Sequence, residues 1–325
     1  MELETQFIFE PLPPILNPVH DPFPDVANPL GPLAGLVGTW AGQGFNCIWR
    51  PNHTSASDHF LELNLTSEQL AFDVIQGQIP NRGLLQPDIN MFGLTYLQQV
   101  SDKNLNAGLH IEPGLWVDIP ATTDPKETPS VARLASIPHG TTILAQGTGS
   151  TSAGAPGIHQ VGITPFTVND PTALVPFAEQ TLTKASKFRT SGAGLTGITQ
   201  KMLDNPNSVL SDAIVGQQIT TTTTLHVSTN EPPVPGGGTQ NTAFLKGGTQ
   251  GANARAARAT ATFWLETLEG QTIPTQLQYS QTVLLNFAGL SWPHVTVATL
   301  LRQSGTPPTP VQVNPPIGVS PDHPA

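Results

Sequence analysis

The sequence predicts an all-β protein, an antiparallel up-and-down β-barrel of about ten strands. Three observations predict it. Pro (33) and Gly (30) together approach a fifth of the chain, which disfavours long helices. Charged residues are only 11 %, far below the roughly 25 % of ordinary soluble domains, so the Glu- and Lys-rich blocks of surface helices are missing. Short strand-like stretches recur between turn signals, and two end segments, 38–44 and 294–302, read as first and last strands that meet.

The elements follow in order. Residues 1–33 form a Pro-rich arm in which Pro11, Pro13, Pro14, Pro18, Pro22, Pro24, Pro29 and Pro32 alternate with apolar residues. Such a segment cannot pair as a central strand and reads as an extended arm packed on its own barrel or, in a homo-oligomer, on a neighbour. The barrel domain spans 34–303. Val37–Cys47 opens it, and Asp58–Thr66 follows with Phe60, Leu61, Leu63 and Leu65. Phe92–Ser101 and Leu109–Ile119 read as a hairpin around 102–108. Ser130–Ser136 and Thr141–Thr148 read as a second, turning at Pro138-His139-Gly140. Ala259–Leu268, Leu277–Phe287 and Val295–Gln303 complete the sheet. Between about 165 and 255 the pattern changes to a large insertion, with a short helix at Ser208–Val215, a threonine-rich exposed strand at Ile219–Val227 and a Gly/Pro-rich loop at 232–250. The tail, 304–325, is again rich in proline and reads as loosely held.

Charge and cysteine content exclude several functions. With net charge −10 and 13 Lys and Arg spread thinly, no basic stripe is available for nucleic acid or an anionic membrane surface. A single cysteine, Cys47, excludes an internal disulfide and a thiolate zinc cluster. The absence of a CxxCH run means that any haem is held non-covalently. The acidic start, Met1-Glu2-Leu3-Glu4, has neither a basic nor an apolar leader region, and no apolar run of about 18 residues occurs, so the expectation is a soluble cytoplasmic protein.

Two segments carry candidate chemistry. In Gly38-Thr39-Trp40-Ala41-Gly42-Gln43-Gly44 the glycines at 38, 42 and 44 permit a sharp strand bend, and Trp40 plugs a barrel end. In the closing strand, His294, Thr296, Ala298 and Leu300 share one face. Ala298 leaves room beside His294 for a flat ligand, and the plain alternative is a structural histidine. No HExxH, P-loop, GxSxG or Rossmann signature is present.

These residues resemble the nitrobindins, a family of haem-b β-barrels related in shape to lipocalins. Leu36–Gly44 is similar to their GxWxGxG signature, and His294-Val-Thr-Val-Ala298-Thr-Leu300-Leu-Arg302 to the closing strand that bears their axial histidine. Gly93–Gln99, Leu109–Gly114 with its H-x-E-x-G run, and Leu277–Gln281 resemble intervening strands, in the correct order. The resemblance implies ferric haem b held through His294 as the metal ligand, with nitric oxide or a related small oxidant as partner and peroxynitrite isomerisation as activity. It also implies a pocket formed with Trp40, His53, Thr54, His110 and Trp292. His53 lies where the family's distal stretch is altered, and reads either as a distal residue or as an exposed loop histidine. His110 reads as a His–Glu pair with Glu112 or as a pocket wall, and Trp292 as a haem-edge cover or a barrel seal. His139 reads as solvated, and His59, His159 and His226 lack a partner at ligand spacing. The alternative function is a non-catalytic carrier of an apolar small molecule.

Overall fold

The computed structural model describes residues 29–54, 56–229, 236–247 and 253–304. Most of the proline-rich arm (1–28) and of the tail (305–325) lies outside the described residues. Ten strands make the barrel: β1 (Gly38–Thr54), β2 (Ser57–Val74), β3 (Ile89–Asp102), β4 (Ala107–Ile119), β5 (Ser130–Ile137), β6 (Thr141–Ala153), β7 (Ile219–Ser228), β8 (Arg255–Leu268), β9 (Gln276–Phe287) and β10 (Leu290–Arg302). Each pairs antiparallel with its neighbours in sequence, and β10 returns to β1, so the sheet closes as an up-and-down barrel. Both expected hairpins are present as β3–β4 and β5–β6. Among the described residues no helix is long and apolar enough to cross a membrane.

The seam between β1 and β10 runs from Trp40 opposite Arg302 to Ile48 opposite His294. It demands glycine. A Cβ on Gly44 would lie 2.1 Å from the Val297 carbonyl oxygen and 2.8 Å from both Ala298 Cβ and Thr66 Oγ1, and one on Gly42 would lie 2.1 Å from the Thr299 carbonyl oxygen. The strands therefore approach more closely than any side chain allows.

One end of the barrel is filled. Residues 31–36 form a 3₁₀ turn, so the last residues assigned to the arm belong to the plug, with Leu30, Leu33 and Leu36 buried against Trp40, Phe72, Trp116 and Phe263. Trp40 donates from Nε1 to the Leu36 carbonyl at 2.7 Å, and the Arg302 guanidinium lies 4.2 Å over its ring. Arg302 also donates to the carbonyls of Gly35, Val37 and Pro274, tying the last strand to the plug.

The expected single insertion at 165–255 is corrected by the topology. β7 is a barrel stave between β6 and β8, so the stretch splits into a first cover at 154–218 and a second segment after β7. In that segment residues 238–241 pair with 141–144. Parts of the loop expected at 232–250 lie outside the described residues. The threonine run pairs on both edges, where β-branched residues suit the pleat. The first cover carries α1 (Gln200–Asp204) and α2 (Ser208–Ala213) and lies against the outside of β1, β2 and β10. There Ile163, Ile198, Leu203 and Leu210 bury Phe45, Trp49, Leu61, Leu63, Val295 and Val297. Arg189 ties this cover together by donating to the carbonyls of Glu179, Thr181 and Lys184. On this part of the wall the outer face is the apolar one, and on β2 the inward positions are polar, so the strands alternate with their apolar residues under the cover.

Replacing Gly44 by Ala is expected to destabilise the barrel by ~1–3 kcal/mol through overpacking at the seam. Gly162→Ala, at a site with no heavy atom within 4 Å of the new Cβ, is the matched control. Urea unfolding of both variants measures the difference, and equal midpoints would contradict the close-packed seam.

Candidate functional site

The other half of the barrel is hollow. A cavity of about 410 Å³ is lined by Ile48, Val100, Leu109, Ile137, Val283 and Leu285 and by polar side chains among which Asn46, Gln98, His110, His139, Tyr279 and His294 matter most. Such a volume lies within the range of small-molecule sites. Arg50 and Glu62, paired at 2.8 Å, stand at its open rim with the half-exposed Arg50 facing solvent.

His294 enters the cavity because inward positions on β10 alternate with outward ones, and Val295 and Val297 take the outer face. Its Nε2 lies 2.8 Å from Asn46 Oδ1, which also accepts from Thr296 Oγ1 at 2.9 Å. Asn46 Nδ2 donates to Asn64 Oδ1 at 3.1 Å, and Asn64 Nδ2 donates to Asp102 Oδ2 at 2.7 Å. Asp102 Oδ1 accepts the backbone N–H groups of Asn104 and Leu105. The chain of bonds has a direction. Asp102 accepts, so Asn64 presents its amide hydrogen there and its oxygen to Asn46; Asn46 must then present its oxygen to His294. The imidazole consequently carries its proton on Nε2 and leaves Nδ1 as a bare lone pair. Nδ1 makes no hydrogen bond among the described residues. Burial, with smaller repulsions from His110 and His139, holds the pKa of His294 down at about 3, so the ring is neutral at physiological pH.

Below the cavity lies a layer of buried polar groups. Glu68 accepts from Thr66, Tyr279 and Gln98, and burial pushes its carboxyl upward. Glu112 accepts from Tyr96 and from Arg133, which also donates to Gln281 at 2.6 Å. Burial opposes the charge of Glu112, but the Arg133 guanidinium and the bonds from His110 and Tyr96 overcome it and hold the carboxyl at about 2.

Of the sequence-derived site residues, His294 and His110 share the cavity. His110 Nε2 is 3.1 Å from Glu112 Oε2, so both readings of His110, the paired histidine and the pocket wall, describe one side chain. Four others are displaced. Trp40 belongs to the plug. His53 and Thr54 are exposed where β1 turns into β2, beyond the rim. Trp292 shares the strand parity of His294, yet its ring stacks among Trp49, His59, Phe177 and Phe287 in the outer cluster. The reason is a change of partner: β10 pairs β1 only as far as His294, and beyond it the first cover supplies Phe166 and Thr167 opposite Ser291 and Leu290. Ala298 is buried against Gly44, so the space beside His294 comes from Asn46 and Thr296 instead. Sequence reading missed Asn46, whose parity with Gly42 and Gly44 on β1 was its only signal, and His139, which is exposed at the rim but stacks on His110. Cys47 points into the outer cluster, and burial raises its thiol, so it is not a cavity nucleophile. No group of three His, Cys, Asp or Glu among the described residues is arranged to hold a bare metal ion.

The fold and site define a closed up-and-down β-barrel with one plugged end and a ligand-sized cavity at the other. No protein-family model and no curated protein matches the chain. Among solved structures it is similar to one described as the crystal structure of Rv2717c from M. tuberculosis, at 16 % identity and a TM-score of 0.40, covering 86 % of this chain and 99 % of that one. The barrel assignment stands on the strand pairing and owes nothing to that likeness.

His294 is expected to remain neutral from pH 5 to 8 and to show the Nε2–H tautomer in long-range ¹H–¹⁵N spectra. Its folded pKa of about 3 lies below the ordinary value of 6.5. The stability linked to this group is therefore complete above pH 6.5 and declines by about 1.4 kcal/mol per pH unit as the pH falls toward 3. His294→Gln removes that component, and its unfolding free energy should fall less steeply than that of the wild type between pH 6.5 and 4.

Proposed function

We propose that this chain binds haem b non-covalently in the barrel cavity through His294, and acts on nitric oxide, peroxynitrite or a related small oxidant, as its resemblance to the nitrobindins implies. One observation carries the reading: a neutral imidazole with a bare nitrogen is held in a largely apolar cavity that supplies no other partner for it.

The residues present suit such a group. Asn46 holds the Nε2–H of His294, which orients the ring and raises the basicity of Nδ1, the atom left to bind iron. Ile48, Val100, Leu109, Val283 and Leu285 wall the space and exclude water. Arg50, now paired with Glu62 at the rim, is the cation placed to meet a carboxylate edge. Ferric haem, when bound, supplies an iron face open to nitric oxide or a peroxy oxidant. The protein's share is the axial nitrogen, the dry wall and the control of access.

Carriage of an apolar molecule is the second reading, favoured by the same aliphatic lining. Haemin titration followed by the Soret band separates the two. A histidine-ligated spectrum is expected for the wild type and its loss for His294→Ala, while Asn46→Leu should weaken haemin binding by about 10–100-fold. A wild type without a histidine-ligated spectrum would overturn the haem reading and leave the carrier.

A further inference from the structure

We propose that His110 and His139 form a second polar site, on the cavity wall across from His294, that binds a small delocalised anion, a nitrite-sized oxyanion or a carboxylate, when the pair carries a proton. The site concerns the same cavity but does not require that haem be bound.

Placement comes from the topology. β4, which bears His110, lies four strands from β10 in a ring of ten, and the β5–β6 turn that bears His139 lies beyond it. The two rings stack with centroids 5.4 Å apart and planes at 25°. Glu112 orients the pair: its Oε2 accepts from His110 Nε2, and its Oε1 is taken by Arg133 and Tyr96. Because an ionised carboxylate only accepts, His110 carries hydrogen on Nε2, and Nδ1 is its other nitrogen. That nitrogen has no hydrogen-bond partner among the described residues, so the protonated ring offers an N–H donor with no acceptor in the protein. Partial burial and the neighbouring His110 lower the affinity of His139 for a proton, and a bond to the Leu109 backbone opposes them.

The carboxylates nearest this wall have other partners. Glu112 is offset by Arg133, and Glu62 by Arg50. Glu68, on the floor, is pushed upward by burial and hydrogen-bonded to Tyr279, Gln98 and Thr66; His294 stays neutral. Tyr96 and Tyr279 have their hydroxyls raised by burial and carry no charge. Histidine changes charge between pH 5 and 8, and one added proton gives this wall net positive charge beside the aliphatic side chains of Val100, Leu109 and Ile137. A small anion with two acceptor oxygens complements it.

The test uses the haem-free protein, with sodium nitrite and sodium octanoate as probes, histidine NMR resonances and calorimetry as readouts, and pH 5.5 and 8 as conditions. Nitrite or octanoate should shift the His110 and His139 resonances at pH 5.5 and bind at least tenfold more weakly at pH 8. Either His110→Gln or His139→Gln should weaken binding at least tenfold, so the site remains testable if one variant fails to fold. His53→Gln, on the exposed β1–β2 turn, should match the wild type. Octanoate binding tenfold tighter than nitrite assigns the anion to the end of an apolar ligand; comparable affinities assign it to a free oxyanion. Equal affinity at the two pH values, no binding at pH 5.5, or undiminished binding in both variants would overturn the proposal. Haemin titration of the wild type keeps the two ideas apart: a histidine-ligated spectrum without anion binding removes only this site, and anion binding without haemin uptake removes only the haem reading.

Discussion

Closure of the barrel along one seam governs everything else in the molecule. Gly42 and Gly44 let β1 lie so close to β10 that no Cβ fits between them. That approach sets the register in which Asn46 stands opposite Thr296 and Ile48 opposite His294. The hydrogen bond that orients the imidazole follows from the same register. A one-residue slip of β10 would send His294 to the outer face while Asn46 stayed inside, so the glycines act on the candidate site without touching it.

The barrel wall has an unusual division of labour. On β2, Leu61, Leu63 and Leu65 face outward, while Glu62, Asn64, Thr66 and Glu68 face inward. The outer leucines are buried because the 154–218 cover lies on them. The inner polar residues are acceptable because they are bonded to one another, as Glu112 is to Arg133, Tyr96 and His110. Breaking such a buried ion pair on one side leaves an uncompensated charge. The inward polar residues thus separate a filled core from a hollow, and they set the hydrogen positions on His110 and His294.

The strands, the two hairpins and the meeting of first and last strands were legible in the sequence because turn residues punctuate them and β-branched residues fill them. His294 and His110 stood out because each sits in a strand with a recognisable continuation. The rest escaped for particular reasons. β7 was read as part of an insertion because its threonines carry no apolar alternation, although both edges are paired. Trp292 and His294 share parity, and only the exchange of β1 for the first cover at the end of β10 sends their side chains to different places. His139 looked like a solvated turn residue, and it is exposed, but the fold lays its ring on His110.

By itself the sequence determined the barrel class, the order of its strands and the closing seam, because periodicity, glycine positions and turn chemistry are local properties of the chain. Only the tertiary structure decided which face of each strand is the inside, since apolar residues are buried on both sides of the covered wall. It alone decided the tautomer of His294, which depends on a bond chain running from Asp102 on β3 through Asn64 on β2 and Asn46 on β1. Those residues are far apart in sequence, and only closure of the barrel places them in hydrogen-bonding order.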